Sequence, residues 1–278
     1  MFLNKRKKLL LIGFFFLCAL FIWQVPKKPA VDADWQTHLA VPSLAEFKDN
    51  LVFIKNVRNF RYGPTEEEMQ PAYYDKTYNL EEIKQVWFVV EPFNGQKYLA
   101  HTFLSFEFES GDFLAITIEA RKTKNQKYGI IKGALRTFPL MYIAADERDV
   151  VLLRANLRQD NVYTYPVKLA RPENARLLLT DMLERMNELV VKPAWYNTFL
   201  ANCTSSIVYH VNRVSPSRVG NFSWKLWFTG YSDRLALQMG LIDTDLSLKQ
   251  ARQKYLITPR SQQIGDAEDY SRLIRQFE

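Results

Sequence analysis

The chain opens with a block of apolar positions, passes through stretches of two-residue alternation, and ends in a region of helical period. Leu9 to Val25 reads LLLIGFFFLCALFIWQV without a charged residue. As a helix this run rises about 25 Å, within the lower range for a membrane span. After Asn50, LVFIKNVRNFRY alternates apolar with polar side chains, as a half-buried strand does. Tyr62 to Asn79, with its two prolines and one glycine, predicts a long ordered loop. Lys84–Val90, Asp149–Leu153 and Val162–Lys168 predict further strands. From Pro172 the period changes. Leu177, Leu178, Met182, Leu183, Met186 and Leu189 fall at helical spacing, with Pro172 suited to a first turn.

The most informative stretch is Lys97 to Arg121, two strands separated by the turn signal Glu109-Ser110-Gly111-Asp112. On the first strand the even positions Tyr98, Ala100, Thr102, Leu104, Phe106 and Phe108 form a nearly apolar face, and the odd ones include His101, Ser105 and Glu107. On the second, Leu114, Ile116, Ile118 and Ala120 are apolar, and the odd positions include Thr117, Glu119 and Arg121. Pairing even with even buries both apolar sets together. The opposite pairing exposes several large side chains, at about 1.5–3 kcal/mol each. The favoured register needs a three-residue loop, and it places His101, Glu119 and Arg121 on one face within cross-strand reach.

Strands followed by helices predict an α+β domain. A basic segment at 1–8, a transmembrane helix at 9–25 and a tether at 26–49 precede the main domain, 50–215. A helical extension, 216–278, packs on the same domain. The net charge of +7 does not mark a nucleic-acid binder, because Lys5, Arg6, Lys7, Lys8, Lys27 and Lys28 supply six of those charges. By the positive-inside rule, Lys5–Lys8 stay cytoplasmic and everything after Pro26 lies across the membrane. Bulky Phe21, Ile22 and Trp23 close the run without a small-residue cleavage site, so the helix is read as an uncleaved inner-membrane anchor.

Cys18 lies in the apolar run, which leaves Cys203 as the only exported thiol. In YNTFLANCTSSIVYH, Asn202 is a good N-cap and puts Cys203 and Thr204 in a first helical turn, where the dipole lowers a thiol pKa. An imidazole and an orienting carboxylate nearby would complete a cysteine triad. Each part has a plainer reading: Cys203 as a small buried hydrophobe, His101 as a satisfied sheet histidine, Glu119 as a partner for Arg121. Arg61, Tyr62 and Arg148 read first as loop anchors. Three scattered histidines offer no metal-ligand spacing, and no cofactor is expected.

The strings NVRNFRY (56–62), YYDKTYNL (73–80), AHTFLSFEF (100–108), LAITIEARK (114–122), ADERDV (145–150) and WYNTFLANCTSSI (195–207) resemble the Lnb N-terminal periplasmic domain family. That family is named for a bacterial lipoprotein N-acyltransferase and is similar to the papain-like NlpC/P60 superfamily in permuted form, with the histidine strand before the cysteine helix. The resemblance implies a permuted papain-like antiparallel sheet packed on helices. It implies Cys203 as nucleophile, His101 as general base and Glu119 as the third residue, with Asn202, Thr204, Arg121 and Tyr196 supporting the site or its substrate. It implies acyl transfer by a thioester, from a membrane phospholipid to a lipoprotein amine. The named acyltransferase couples this domain to a multi-span region, whereas one apolar run is evident here. The resemblance therefore speaks more directly for a thiol acyl enzyme than for lipoprotein acylation. The competing readings are a cysteine hydrolase of peptidoglycan and a non-enzymatic envelope assembly protein.

Overall fold

The computed structural model describes residues 4–24, 28–65, 68–94, 96, 98–215, 218–220 and 224–277. Residues 1–3 of the basic segment, Val25 of the anchor, Pro26 and Lys27 of the tether and Lys97 of the first hairpin strand lie outside the described residues. Eight strands run β1 (Leu44–Lys48), β2 (Leu51–Arg58), β3 (Tyr73–Asn79), β4 (Ile83–Pro92), β5 (Ala100–Phe108), β6 (Phe113–Ala120), β7 (Leu140–Asp146) and β8 (Tyr163–Pro166). The helices are α1 (Lys5–Gln24), α2 (Ile130–Ala134), α3 (Glu147–Leu152), α4 (Glu173–Val191), α5 (Cys203–Val214) and α6 (Trp224–Trp227). Four more follow: α7 (Ser232–Gln238), α8 (Leu248–Lys254), α9 (Thr258–Ile264) and α10 (Tyr270–Leu273).

The strands form one open sheet in the order β1-β2-β7-β6-β5-β4-β8, with β3 paired to β2. Every pairing is antiparallel except the short parallel contact of β2 with β7 at Arg58 and Ala145. The fold is α+β with a mixed sheet, rather than the purely antiparallel one expected.

Both faces of the sheet are covered, which explains its composition. On one face Leu104, Phe106, Leu114 and Ile116 pack with Leu178, Met182 and Met186 of α4 and Ile207 of α5. On the other, Phe103, Ala115 and Ile143 pack with Val150 and Val151 of α3 and with Ile257, Tyr270 and Ile274 of the C-terminal extension. The expected helix after Pro172 is α4, whose buried stripe uses Leu179 where the spacing nominated Leu177; Leu177 is exposed.

Three segments differ from their sequence readings. Asp149–Leu153 is not a strand: Asp149–Leu152 lie in α3, started by the Asp146 carboxylate, which accepts from Arg148 N at 3.0 Å, and Leu153 begins the turn that follows. All six residues of α3 are buried, so its apolar run carries no helical period. The second half of the predicted loop is strand β3, held along β2. Leu140–Asp146, left unassigned, is central strand β7, buried on both faces and thus without alternation. Among the described residues no helix is long and apolar enough to cross a membrane; the described side chains of α1 run from Lys5 to Leu20 and include Lys5–Lys8.

Candidate active site

The β5–β6 hairpin sets the first wall. Phe108 N donates to Asp112 O at 2.9 Å, which leaves a three-residue loop, Glu109–Gly111. Gly111 closes it at φ +88°, a left-handed conformation that side-chain-bearing residues resist. The register is the expected one: Leu104 opposes Ile116 and Phe106 opposes Leu114. His101, Thr117 and Glu119 accordingly share the face opposite the one that carries Leu104 and Ile116.

On that face the polar groups form a chain. His101 Nε2 lies 2.7 Å from Thr117 Oγ1, and Thr117 Oγ1 donates to Glu119 Oε1 at 2.9 Å. His101 Nε2 is also 3.3 Å from that carboxylate oxygen. A hydroxyl has one proton to give. Since Thr117 gives it to Glu119, the imidazole must donate through Nε2–H, which leaves Nδ1 as the basic nitrogen of a residue that lines the cavity. Burial pushes the His101 pKa down to about 3 against the pull of Glu119, so the ring is neutral near pH 7. Burial alone would raise the Glu119 pKa, but His101, Arg154, Lys122 and His38 together hold it below the usual carboxylate range.

The cation of the chain is not Arg121. The Arg121 guanidinium leaves the cluster, donates to Leu39 O and Ala40 O at 3.0 and 2.7 Å, and stacks over the Trp35 ring at 4.3 Å. It lies just past the end of β6, so the ladder no longer fixes its direction. Arg154 takes that place from the π-turn Leu153–Leu157. Its Nη2 reaches Glu119 Oε1 at 3.3 Å and its Nε reaches Glu91 Oε2 at 2.5 Å. Burial pushes Glu91 up to about 7, with Arg154 opposing. Arg154 was not found from sequence, because it directly follows Asp149–Leu153, a segment misread as a strand, and sits in a turn that was not foreseen. Thr117 was on the expected polar face but had no role assigned to it.

The second wall is the start of α5. Asn202 caps it, accepting from Ser205 N at 2.8 Å, while Ser205 Oγ accepts from Asn202 N at 2.9 Å in a reciprocal capping box. The Asn202 amide also donates to Thr198 O and Leu226 O, which fixes the loop before the cysteine. Cys203 is thus the first residue of the helix, as expected. Its thiol is not activated as expected. Cys203 is 5% exposed, and burial pushes its pKa up, against hydrogen bonding by Thr102 and Thr204 that favours the thiolate. Desolvation exceeds the hydrogen bonding that favours the thiolate here.

Thr204 Oγ1 pairs with Thr102 Oγ1 at 3.0 Å and braces α5 against β5. Tyr196 is buried, edge-on to Tyr128, and forms part of the cavity wall. Cys203, His101, Glu119, Asn202, Tyr196 and Arg154 all line one cavity of about 300 Å³. Among the described residues no hydrogen bond joins Cys203 Sγ to His101; besides Thr102, Sγ approaches Ala100 O at 3.8 Å and Thr204 Oγ1 at 4.0 Å. His210 takes no part, since its ring is bound between Tyr142 Oη and Asp181 at 2.9 and 2.7 Å.

A family profile described as the Lnb N-terminal periplasmic domain matches residues 69–230, more than half of the chain. The chain belongs to that family. The match spans β5, β6 and the N-terminus of α5, and the residues named above as lining the cavity all fall within it. It identifies a periplasmic domain. No curated protein and no solved structure matches the chain.

Proposed function

We propose that this Lnb-type domain is a membrane-anchored periplasmic cysteine acyltransferase with a permuted papain-like arrangement. The observation that carries the reading is the convergence in one cavity of a helix-terminal thiol and an imidazole whose tautomer is set by a hydroxyl–carboxylate chain.

At rest both groups are neutral. As Cys203 Sγ attacks the ester carbonyl of a phospholipid, its proton passes to His101 Nδ1, and the first-turn amides of α5 face the developing oxyanion. Collapse forms the thioester and breaks the ester C–O bond; the leaving alcohol takes the proton from His101. An incoming amine, such as a lipoprotein N-terminus, then attacks the thioester, gives its proton to Nδ1, and releases the thiol. Glu119 stabilises the transient imidazolium, directly and through Thr117, while Arg154 keeps Glu119 ionised. The uncharged run Leu9–Val25 behind Lys5–Lys8 supports an anchor that keeps the domain beside its lipid donor.

The charged floor of the cavity, with Glu91, Glu119 and Arg154, also suits a polar substrate, and on that ground a peptidoglycan hydrolase using the same thiol is the second reading. Mass spectrometry of full-length protein from membranes separates the two. A fatty-acyl mass on the Cys203 peptide, removed by neutral hydroxylamine and missing from Cys203→Ala, is expected for acyl transfer. An unmodified Cys203 after incubation with phospholipid, with Cys203→Ala functional in cells, would overturn the thiol acyl-enzyme reading.

A further inference from the structure

We infer that the surface around the mouth of the cavity is a docking face for an anionic lipid bilayer. The inference uses the anchor reading for α1 only in its last step.

The first observation is an apolar apron. On α2, Ile131 is 75% exposed, with Ile130 and Leu135 exposed beside it. In the loop that leads to Cys203, Leu200 is 72% exposed and Phe199 is exposed next to it. The two segments are joined: Thr198 Oγ1 donates to Ile130 O at 3.0 Å and Asn197 Nδ2 to Ala134 O at 3.1 Å. Phe199 meets exposed Trp227 edge-on at 6.2 Å. Ile130, Tyr98 and exposed Phe228 line one shallow groove with Phe93 and Leu99, both of which also line the active-site cavity. Tyr128 and Trp227 are at once exposed and part of the cavity wall, so the apron reaches the opening itself. Large contiguous apolar patches of this kind mark interaction surfaces, and aromatic residues suit a membrane interface.

The second observation is charge. From Arg121 to Ala145 the chain carries Arg121, Lys122, Lys124, Lys127, Lys132 and Arg136 and no acid. Lys127 and Lys132 are exposed and flank Ile130 and Ile131, while Lys124 is paired with Asp34 at 2.7 Å. Basic side chains around protruding aliphatic ones fit a bilayer whose headgroups are negative. A protein partner of matching apolar shape would not need that charge.

The third observation is the path of the chain. Residues 34–36 are fixed to this basic loop: Lys124 N donates to Asp34 O and Gln36 N to Lys122 O, both at 2.9 Å, with a bridge between Trp35 and Thr123. Only residues 25–33 separate this attachment from the end of α1 at Gln24. Fully extended, that length spans about 35 Å. If α1 is the anchor, it holds the basic loop and the apron within reach of the bilayer surface, with the cavity opening toward it.

The test uses the full-length chain on neutral phosphatidylcholine vesicles and on equimolar phosphatidylcholine–phosphatidylglycerol vesicles, read by flotation and by hydrogen exchange. Flotation with neutral vesicles reports the anchor; protection reports the face. Peptides covering 127–136 and 197–203 are expected to exchange several-fold more slowly on the anionic vesicles, with α4 unchanged. The triple variant Ile131→Asp, Leu200→Asp, Phe228→Asp is expected to float as before and lose that protection. Equal exchange on both vesicles by a chain that floats overturns the docking face and leaves the anchor standing. Protection on anionic vesicles by a chain that does not float on neutral ones keeps the face and removes the anchor. Absence of both flotation and protection overturns the two together. Protection that follows protein concentration on either vesicle places a second copy of the chain on the apron and overturns the lipid assignment.

Discussion

His101 Nε2 and Thr117 Oγ1 stand 2.7 Å apart, and the direction of that hydrogen bond decides which ring nitrogen is basic. Thr117 is committed to Glu119 as a donor, so it can only accept from His101. Removing the acceptor frees the tautomer and lets the ring turn. Thr117→Val, nearly isosteric, should therefore lower kcat by roughly 10²-fold with little change in KM, and Thr117→Ser should restore most of it. The measurement is the rate of thioester formation on Cys203 with phospholipid. Equal rates for the Val and Ser variants would show that the Thr117 hydroxyl does not position the imidazole.

The buried thiol makes a second outcome testable. A cysteine at a helix start is commonly reactive because it is ionised, yet burial drives the Cys203 pKa upward and the His101 pKa down to about 3. The resting pair is thiol and imidazole, not thiolate and imidazolium. Iodoacetamide should modify Cys203 more slowly than free cysteine at about pH 6–7, and faster as pH climbs toward the raised thiol pKa. Peptide mapping distinguishes Cys203 from Cys18. Rapid alkylation near pH 6 would mean that the ion pair is preformed.

The same imidazole links stability to pH. Its folded pKa is lowered from the ordinary value of 6.5 to about 3. Folding therefore holds the ring neutral where the unfolded chain would protonate it. The contribution is fully present above about pH 6.5 and declines as pH falls toward about 3, by roughly 2 kcal/mol at pH 5. His38, pushed down to about 3 chiefly by burial and by Arg58, acts in the same direction. Urea unfolding between about pH 7 and pH 4.5 should show this loss, and His101→Gln should flatten the slope. An unchanged slope in that variant would assign the acid sensitivity to other groups.

What could be read from the sequence was whatever had a period or a cap. The two-residue alternation of β5 and β6 fixed the register and put His101 and Glu119 together; the Asn202 cap fixed the start of α5 at Cys203. Strand β7 and helix α3 escaped because each is buried all round, so apolar residues occupy every position and no period survives. Arg154 escaped with them, since its role depends on a π-turn that no local pattern announces. The thiol environment was misjudged for a related reason. The helix terminus is local and visible in sequence, whereas the burial that desolvates the thiol comes from tertiary packing in the core between α5 and the sheet.

Arg58 and Asp149 show what the resemblance strings NVRNFRY and ADERDV do structurally. Arg58 donates to both oxygens of Asp149, Nε to Oδ2 at 2.9 Å and Nη2 to Oδ1 at 3.0 Å, and Nη1 reaches His38 O. Asp149 also accepts from Phe60 N at 2.8 Å and Tyr62 Oη at 2.5 Å. Arg148 and Arg61 both pair with Asp266, so these residues anchor the chain, as their loop-anchor reading supposed. Arg58 is 2% and Asp149 0% exposed, so neither charge can recover hydration if its partner is lost. Asp149→Asn should cost about 3–5 kcal/mol of stability, because it leaves a buried guanidinium without a counter-charge. The double change Arg58→Met, Asp149→Leu should recover a large part of that loss, since apolar groups of similar volume pay no ionic desolvation. Urea unfolding of the single and double variants measures both. The pair also orients α3, whose continuation carries Arg154, so the single variant should lower thioester formation at temperatures where the protein is still folded. A single variant as stable as the parent would mean that the ion pair does not hold α3 against β2.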